Sequence, residues 1–125
     1  MKNKRVLLID DEEDIRTLTC LSIELEAGWE ILSAASGSEG ITIAQKQQPD
    51  AILLDAMMPD LDGLQTIAQL QANPKTSEIP VIFLTAKVQA SDRKNFYAAG
   101  AKGVIKKPFD SLTLASQIAG FLDWD

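Results

Sequence analysis

The sequence predicts a doubly wound α/β domain, and three observations carry that prediction. Short, continuously apolar runs recur down the chain, segments with helical spacing separate them, and 125 residues suffice for one hydrophobic core but not two. Apolar runs that do not alternate with polar residues suit a parallel sheet covered on both faces, where neither side of a strand meets water. Strand and helix alternate five times, so five strands and five helices are expected, joined by right-handed crossovers.

The first strand is read at Val6-Leu7-Leu8-Ile9. It is followed by a helix whose Ile15, Leu18, Leu21 and Leu25 share one face. The second strand is the short run Ile31-Leu32, and the helical segment after it is weakly patterned but opens with capping-box spacing at Ser36-Gly37-Ser38-Glu39. Ala51-Ile52-Leu53-Leu54 is the third strand, ahead of a helix with Leu64, Ile67 and Leu70 on one face. Val81-Ile82-Phe83-Leu84 is the fourth, and the helix from Ala90 to Ala99 stops at Gly100. Gly103-Val104-Ile105 is the fifth, and Leu112, Ala115, Ile118, Ala119 and Leu122 place one stripe on the last helix. That helical pattern runs to the chain end, so no output domain is expected.

Composition removes several classes of function. With no histidine, the chain can build no Ser-His-Asp triad, no histidine metal site and no phosphohistidine of its own. The lone Cys20 cannot form an internal disulfide and reads as a structural thiol in the first helix. The basic start, Met1 to Arg5, runs into only four apolar residues, too few for a signal-peptide core or a spanning helix, so a cytoplasmic protein without membrane contact is expected. A net charge of −6 with no Lys/Arg stripe in the sequence argues against nucleic acid as a partner.

In doubly wound sheets, ligands bind beyond the carboxyl ends of the strands. The residues there are Asp10 and Asp11 after the first strand, Asp55 after the third, Thr85 after the fourth and Lys107 after the fifth. Three carboxylates at neighbouring strand ends repel one another unless a hard cation such as Mg²⁺, or a lysine, lies among them. The same set suits phosphoryl transfer, in which a carboxylate attacks while a cation, an ammonium and a hydroxyl stabilise the transferring oxygens. Plainer readings exist for each residue. Glu12, Glu13 and Asp14 suit the first turn of a helix, Asp55 suits a turn ahead of Pro59, Asp60 and Gly63, Thr85 suits a helix cap, and Lys107 a solvated surface. None explains why all of them fall at strand ends.

The sequence resembles the response-regulator receiver domains of two-component phosphorelay signalling across essentially its whole length. The resemblance rests on five blocks in order: Leu8-Ile9-Asp10-Asp11-Glu12, Leu53 to Gly63 around Asp55, Leu84-Thr85-Ala86, Ala99-Gly100-Ala101 and Lys107-Pro108-Phe109. It implies a flavodoxin-like (βα)5 fold with the parallel sheet in the order 2-1-3-4-5, and one receiver domain over residues 1–125. By the same resemblance Asp55 is the phosphoacceptor, and Asp10, Asp11, Asp55 and the backbone carbonyl of Met57 hold Mg²⁺, with Asp11 a direct ligand. Thr85 is then the hydroxyl that turns toward the phosphoryl group, Lys107 pairs with it, and the Lys107-Pro108 bond is cis. A histidine kinase or histidine phosphotransfer protein is the implied donor, docking near Ile15, Pro108 and Phe109. A downstream protein is the target, and the chain is a monomer or weak dimer that is no enzyme beyond promoting its own phosphorylation and dephosphorylation.

One position departs from the family. Relatives often carry Tyr or Phe three residues before the lysine, where this chain has Val104, so the threonine half of the usual switch is present and the aromatic half is missing. Three other functions compete. An aspartyl-phosphate phosphatase on a similar scaffold needs a second Asp two residues after its nucleophile, but Met57 follows Asp55 and Glu12 follows Asp10. A flavin-binding electron carrier needs a phosphate loop after the first strand, which Asp10 to Asp14 would repel. A phosphate-independent scaffold ranks second, because every residue for phosphorylation is retained.

Overall fold

The computed structural model describes residues 3–59 and 61–124; Met1 and Lys2 of the basic start, Asp60 and Asp125 lie outside the described residues. Ten elements alternate along the chain: β1 (Arg5–Ile9), α1 (Glu13–Ala27), β2 (Glu30–Ala34), α2 (Gly37–Gln47), β3 (Ala51–Leu54), α3 (Gly63–Ala72), β4 (Val81–Thr85), α4 (Ala90–Ala98), β5 (Gly103–Lys106) and α5 (Leu114–Leu122). All strand pairs are parallel and the order is β2-β1-β3-β4-β5, the flavodoxin-like topology. The sheet is why the apolar runs are unbroken. Leu7, Ile9, Ile52, Leu54 and Phe83 pack on the side covered by α2, α3 and α4, while Val6, Leu8, Leu53, Ile82 and Leu84 pack on the side of α1 and α5. No described helix is long and apolar enough to cross a membrane.

The weak periodicity of α2 has a steric cause. Its buried residues are Gly37, Gly40 and Ala44, and a Cβ at Gly40 would lie 2.3 Å from Ile9 Cδ1. The helix approaches the sheet closely at these positions, so its buried centre is marked by small residues, while Ile41 and Ile43 are only partly buried against the core. Gly63, at the start of α3, is similarly confined: a Cβ there would lie 2.6 Å from the Asp55 carbonyl oxygen.

The apolar row of α1 faces the opposite way from a core stripe. Thr19, Ser22 and Ile23 are the buried residues of this helix, while Leu18, Leu21 and Leu25 are exposed, Leu25 at 79%. α5 also starts later than its stripe suggests. Leu112 precedes the helix and is exposed, and Leu114, Ala115, Ile118 and Ala119 form its buried face. The start of α5 depends on α1. Its N-cap residue, Thr113, makes no side-chain cap, and Glu26 of α1 accepts from the Ala115 and Ser116 backbone N–H groups at 2.7 and 3.0 Å and from the Ser116 hydroxyl at 2.6 Å. A carboxylate at a helix N-terminus satisfies donors that lack partners within the helix and complements the helix dipole. Glu26→Ala is therefore expected to cost about 1–2 kcal/mol in urea unfolding, against less than about 0.5 kcal/mol for Leu25→Ala. Equal midpoints for the two variants would show that this cap is energetically silent.

Candidate functional site

The carboxyl ends of β1 and β3 place two acids side by side. Ile9 and Leu54 are register partners, and the ladder continues one step beyond them through Asp55 N–H donating to the Ile9 carbonyl at 3.0 Å. Asp10 and Asp55 thus leave adjacent strands at the same level. Both are buried, while Asp11 is exposed at the rim. One carboxylate oxygen from each of Asp10, Asp11 and Asp55 can be chosen so that all three lie within 4.8 Å of one another. Hard oxygen donors at this spacing match the chemistry of a divalent cation such as Mg²⁺.

Lys107 enters from the end of β5, where its backbone N–H donates to the Thr85 carbonyl at 2.9 Å and its peptide bond to Pro108 is cis. Its Nζ lies 2.5 Å from Asp10 Oδ2, 3.4 Å from Asp55 Oδ2 and 3.8 Å from Glu12 Oε1. Burial pulls the Lys107 ammonium toward neutrality, but its bonds and charge contacts with Asp10 and Asp55 outweigh this and hold its pKa above the usual value. Asp55 shows the opposite balance. Burial pushes its carboxyl up, and neither the Met57 N–H, donating to Oδ1 at 3.2 Å, nor Lys107 fully offsets that.

The stability consequence follows from linkage. A carboxyl whose folded pKa is raised weakens the fold while it is ionised, and the penalty vanishes as pH falls and the native carboxyl takes up a proton. In metal-free buffer, Asp55→Asn is expected to be more stable than wild type at neutral pH, with the gap shrinking as pH drops through the raised Asp55 value. Unfolding midpoints across that range test this, and a gap that widens toward acid would contradict it.

Thr85 is fully buried at the end of β4, and its Oγ1 accepts the Lys87 backbone N–H at 3.1 Å. Met57 is 63% exposed on the loop after Asp55. Cys20 is half-buried against the α1–α5 core, and burial raises its thiol pKa, as suits a structural rather than a reactive cysteine. The structure adds one residue that spacing did not reveal. Arg16 Nη1 donates to the Asp10 carbonyl at 2.8 Å, and the Glu12 N–H donates to Asp10 Oδ1 at 2.9 Å, so both ends of the acidic turn are tied down. The signal was present only as an arginine six residues after Asp10, which has no fixed meaning without the turn.

A doubly wound sheet with an acidic pocket where β1 meets β3, and a lysine reaching into it from β5, is the architecture of receiver domains. The chain belongs to the response regulator receiver domain family, whose sequence pattern matches residues 6–119. It is 37% identical over 94% of its length to Protein PilH of Pseudomonas aeruginosa, covering 97% of that protein. It is 35% identical over 94% of its length to the DNA-binding dual master transcriptional regulator RpaA of Synechocystis, of which it spans 48%. Several of the curated relatives it matches are thus about twice its length. Among solved structures, chemotaxis protein CheY4 of Vibrio cholerae superposes with a TM-score of 0.88 at 28% identity, over 96% of this chain and 99% of that one. A response regulator from Desulfuromonas acetoxidans gives 0.86 at 27% identity, over 96% and 97%. The chain is a two-component signalling receiver.

Proposed function

We propose that this receiver takes a phosphoryl group from a partner's phosphohistidine onto Asp55. The observation that carries this reading is the lysine-bridged pair Asp10 and Asp55, buried together beside the exposed Asp11. An Asp55 carboxylate oxygen attacks phosphorus, the phosphorus–nitrogen bond of the donor breaks, and the donor imidazole leaves neutral after taking up a proton. Lys107 keeps its ammonium beside the attacking carboxylate and can follow the negative charge onto the phosphoryl oxygens. Bound among Asp10, Asp11, Asp55 and the Met57 carbonyl, Mg²⁺ would supply the charge neutralisation that lets two anionic groups meet. Incubation with Mg²⁺ and acetyl phosphate, read by intact mass, tests the reading. One added phosphoryl group is expected, and none would overturn it.

The donor, on this reading, is a histidine kinase or phosphotransfer protein that docks at the rim formed by Ile15, Pro108 and Phe109. The product is a signal to a downstream protein rather than turnover of a substrate. A monomeric or weakly dimeric protein of the cytoplasm fits this role, as does a single cysteine with no disulfide partner in its chain. Contact with nucleic acid is no part of the reading, although the longer relative RpaA is named as DNA-binding.

Thr85 and Val104 shape what phosphorylation changes. The Thr85 hydroxyl accepts from Lys87 but donates to no described residue, so its proton is available to a phosphoryl oxygen. Val104 is buried with Phe83 and Phe96, whose rings stack at 4.2 Å, so the space under α4 is already filled with aromatic carbon from β4 and α4. A valine there has no ring to exchange between exposed and buried rotamers. With a beryllofluoride mimic, large amide shifts are expected from Thr85 to Ala90, with Lys87 moving most, and small ones at Val104. Thr85→Ala should shrink the first set. Equally large changes at Val104 and along α5 would sink this.

A further inference from the structure

All four polar atoms of the fully buried Asp10 are engaged. Its backbone N–H donates to the Ala34 carbonyl at 3.1 Å, one step past the last register pair of β1 and β2. Its Oδ1 accepts from the Glu12 N–H and its Oδ2 from Lys107. Its own carbonyl accepts from Arg16 Nη1 at 2.8 Å. The partners come from β2, the turn itself, the end of β5 and α1.

Asp11 is the opposite case. It is exposed, and its carboxylate has no ion-pair partner among the described residues. Yet one of its oxygens lies within 4.8 Å of one from Asp10 and one from Asp55. Only the backbone is left to bring it there. The peptide group joining Asp10 to Asp11 is planar, and Arg16 holds its oxygen, so the plane and the direction in which Asp11 departs are fixed together. Arg16 spends its donor on this one neutral oxygen. Glu13 and Glu24 line the same groove, but Arg16 makes no ion pair among the described residues. An exposed pair with either glutamate would return little, whereas a bond from a charged donor to a part-buried carbonyl is short and strong.

We propose that Arg16 is a positioning residue for Mg²⁺, acting through the Asp10–Asp11 peptide so that Asp11 is held ready for the ion before it arrives. This rests on the reading of Asp10, Asp11 and Asp55 as the Mg²⁺ ligands. Partners that orient metal ligands are worth about tenfold or more in metal affinity. Charge alone predicts the opposite sign, because removing a cation near a divalent ion's site lessens repulsion and tightens binding. The two ions Mg²⁺ and Ca²⁺ sharpen the contrast. Mg²⁺ demands near-ideal octahedral geometry and Ca²⁺ accepts a flexible one, so a misplaced Asp11 harms Mg²⁺ more, while a change of charge moves both ions in one direction.

The test is calorimetric titration of the unphosphorylated chain with Mg²⁺ and with Ca²⁺, without a phosphodonor. Arg16→Met, which keeps an unbranched stem and removes both donors and charge, is expected to weaken Mg²⁺ by about tenfold and Ca²⁺ by less. Arg16→Gln, with a shorter polar side chain, shares the expectation and serves if the methionine variant does not fold, as judged by unfolding midpoints in metal-free buffer. Mg²⁺ binding equal to or tighter than wild type overturns the proposal, as does a Ca²⁺ loss as large as the Mg²⁺ loss. A fall in stability with Mg²⁺ affinity unchanged would make Arg16 a purely structural residue and overturn it too. The wild-type isotherm separates the two readings: a wild-type chain that binds no Mg²⁺ overturns the ligand set itself, and this inference with it.

Discussion

Asp55→Asn is expected to take up no phosphoryl group under conditions in which the wild-type chain is expected to gain one acid-labile group in the presence of Mg²⁺. The effect is expected to be all or none, because neither of the two acids beside it shares its geometry. Asp10 is also buried, but its Oδ2 lies 2.5 Å from the Lys107 ammonium and its Oδ1 accepts from Glu12, so both oxygens are engaged. Asp11 is exposed and lies outside the lysine's described ion pairs. Asp55 has one oxygen on the Met57 N–H and the other at a looser 3.4 Å from Lys107. The asparagine is nearly isosteric but lacks the anionic oxygen needed to attack phosphorus. Intact mass before and after acid treatment reads the result, and equal labelling of wild type and variant would remove Asp55 from the role.

Asp11→Ala is expected to abolish measurable Mg²⁺ binding while leaving the fold intact. Asp11 supplies one of the three oxygens that converge within 4.8 Å, and its exposure at the rim means that its loss opens no cavity. A hard cation held by few carboxylates loses much of its attraction when one is removed. Two readouts separate the outcomes. Calorimetric titration should show a saturable Mg²⁺ isotherm for wild type and none for the variant. The unfolding free energy should rise with Mg²⁺ for wild type, by about 2.7 kcal/mol at one hundred times the dissociation constant, and stay flat for Asp11→Ala. In metal-free buffer the variant should be at least as stable as wild type, since two acids repel less than three. Unchanged Mg²⁺ affinity would remove Asp11 from the ligand set.

The grouping of the candidate site was largely legible because its residues break a rule of local pattern. Asp10, Asp55, Thr85 and Lys107 each fall where an apolar strand ends, at positions where packing has no use for them. The distances among them were not legible. They depend on β1 lying between β2 and β3, and it was the resemblance to receiver domains, not periodicity, that implied that order. The contact of Arg16 with the Asp10 carbonyl has no signature in the sequence, because a side chain reaching back to a turn leaves no periodic trace. Val104 lacks the ring that relatives often carry, and only the fold shows it in one core cluster with the stacked rings of Phe83 and Phe96.

Local pattern alone specifies the alternation of five strands and five helices, and the acids and lysine at the strand ends. Both are local, set by runs of a few residues whose hydrophobicity decides whether they can be covered on two faces. Tertiary structure decided whatever depends on which neighbour a face meets. Leu18, Leu21 and Leu25 do share a side of α1, but periodicity states only that they share it, and the sheet and α5 took Thr19 and Ile23 instead. The start of α5 is held by Glu26, some ninety positions earlier in the chain. In each case the deciding partner is distant in sequence, and no local pattern of hydrophobicity or charge encodes it.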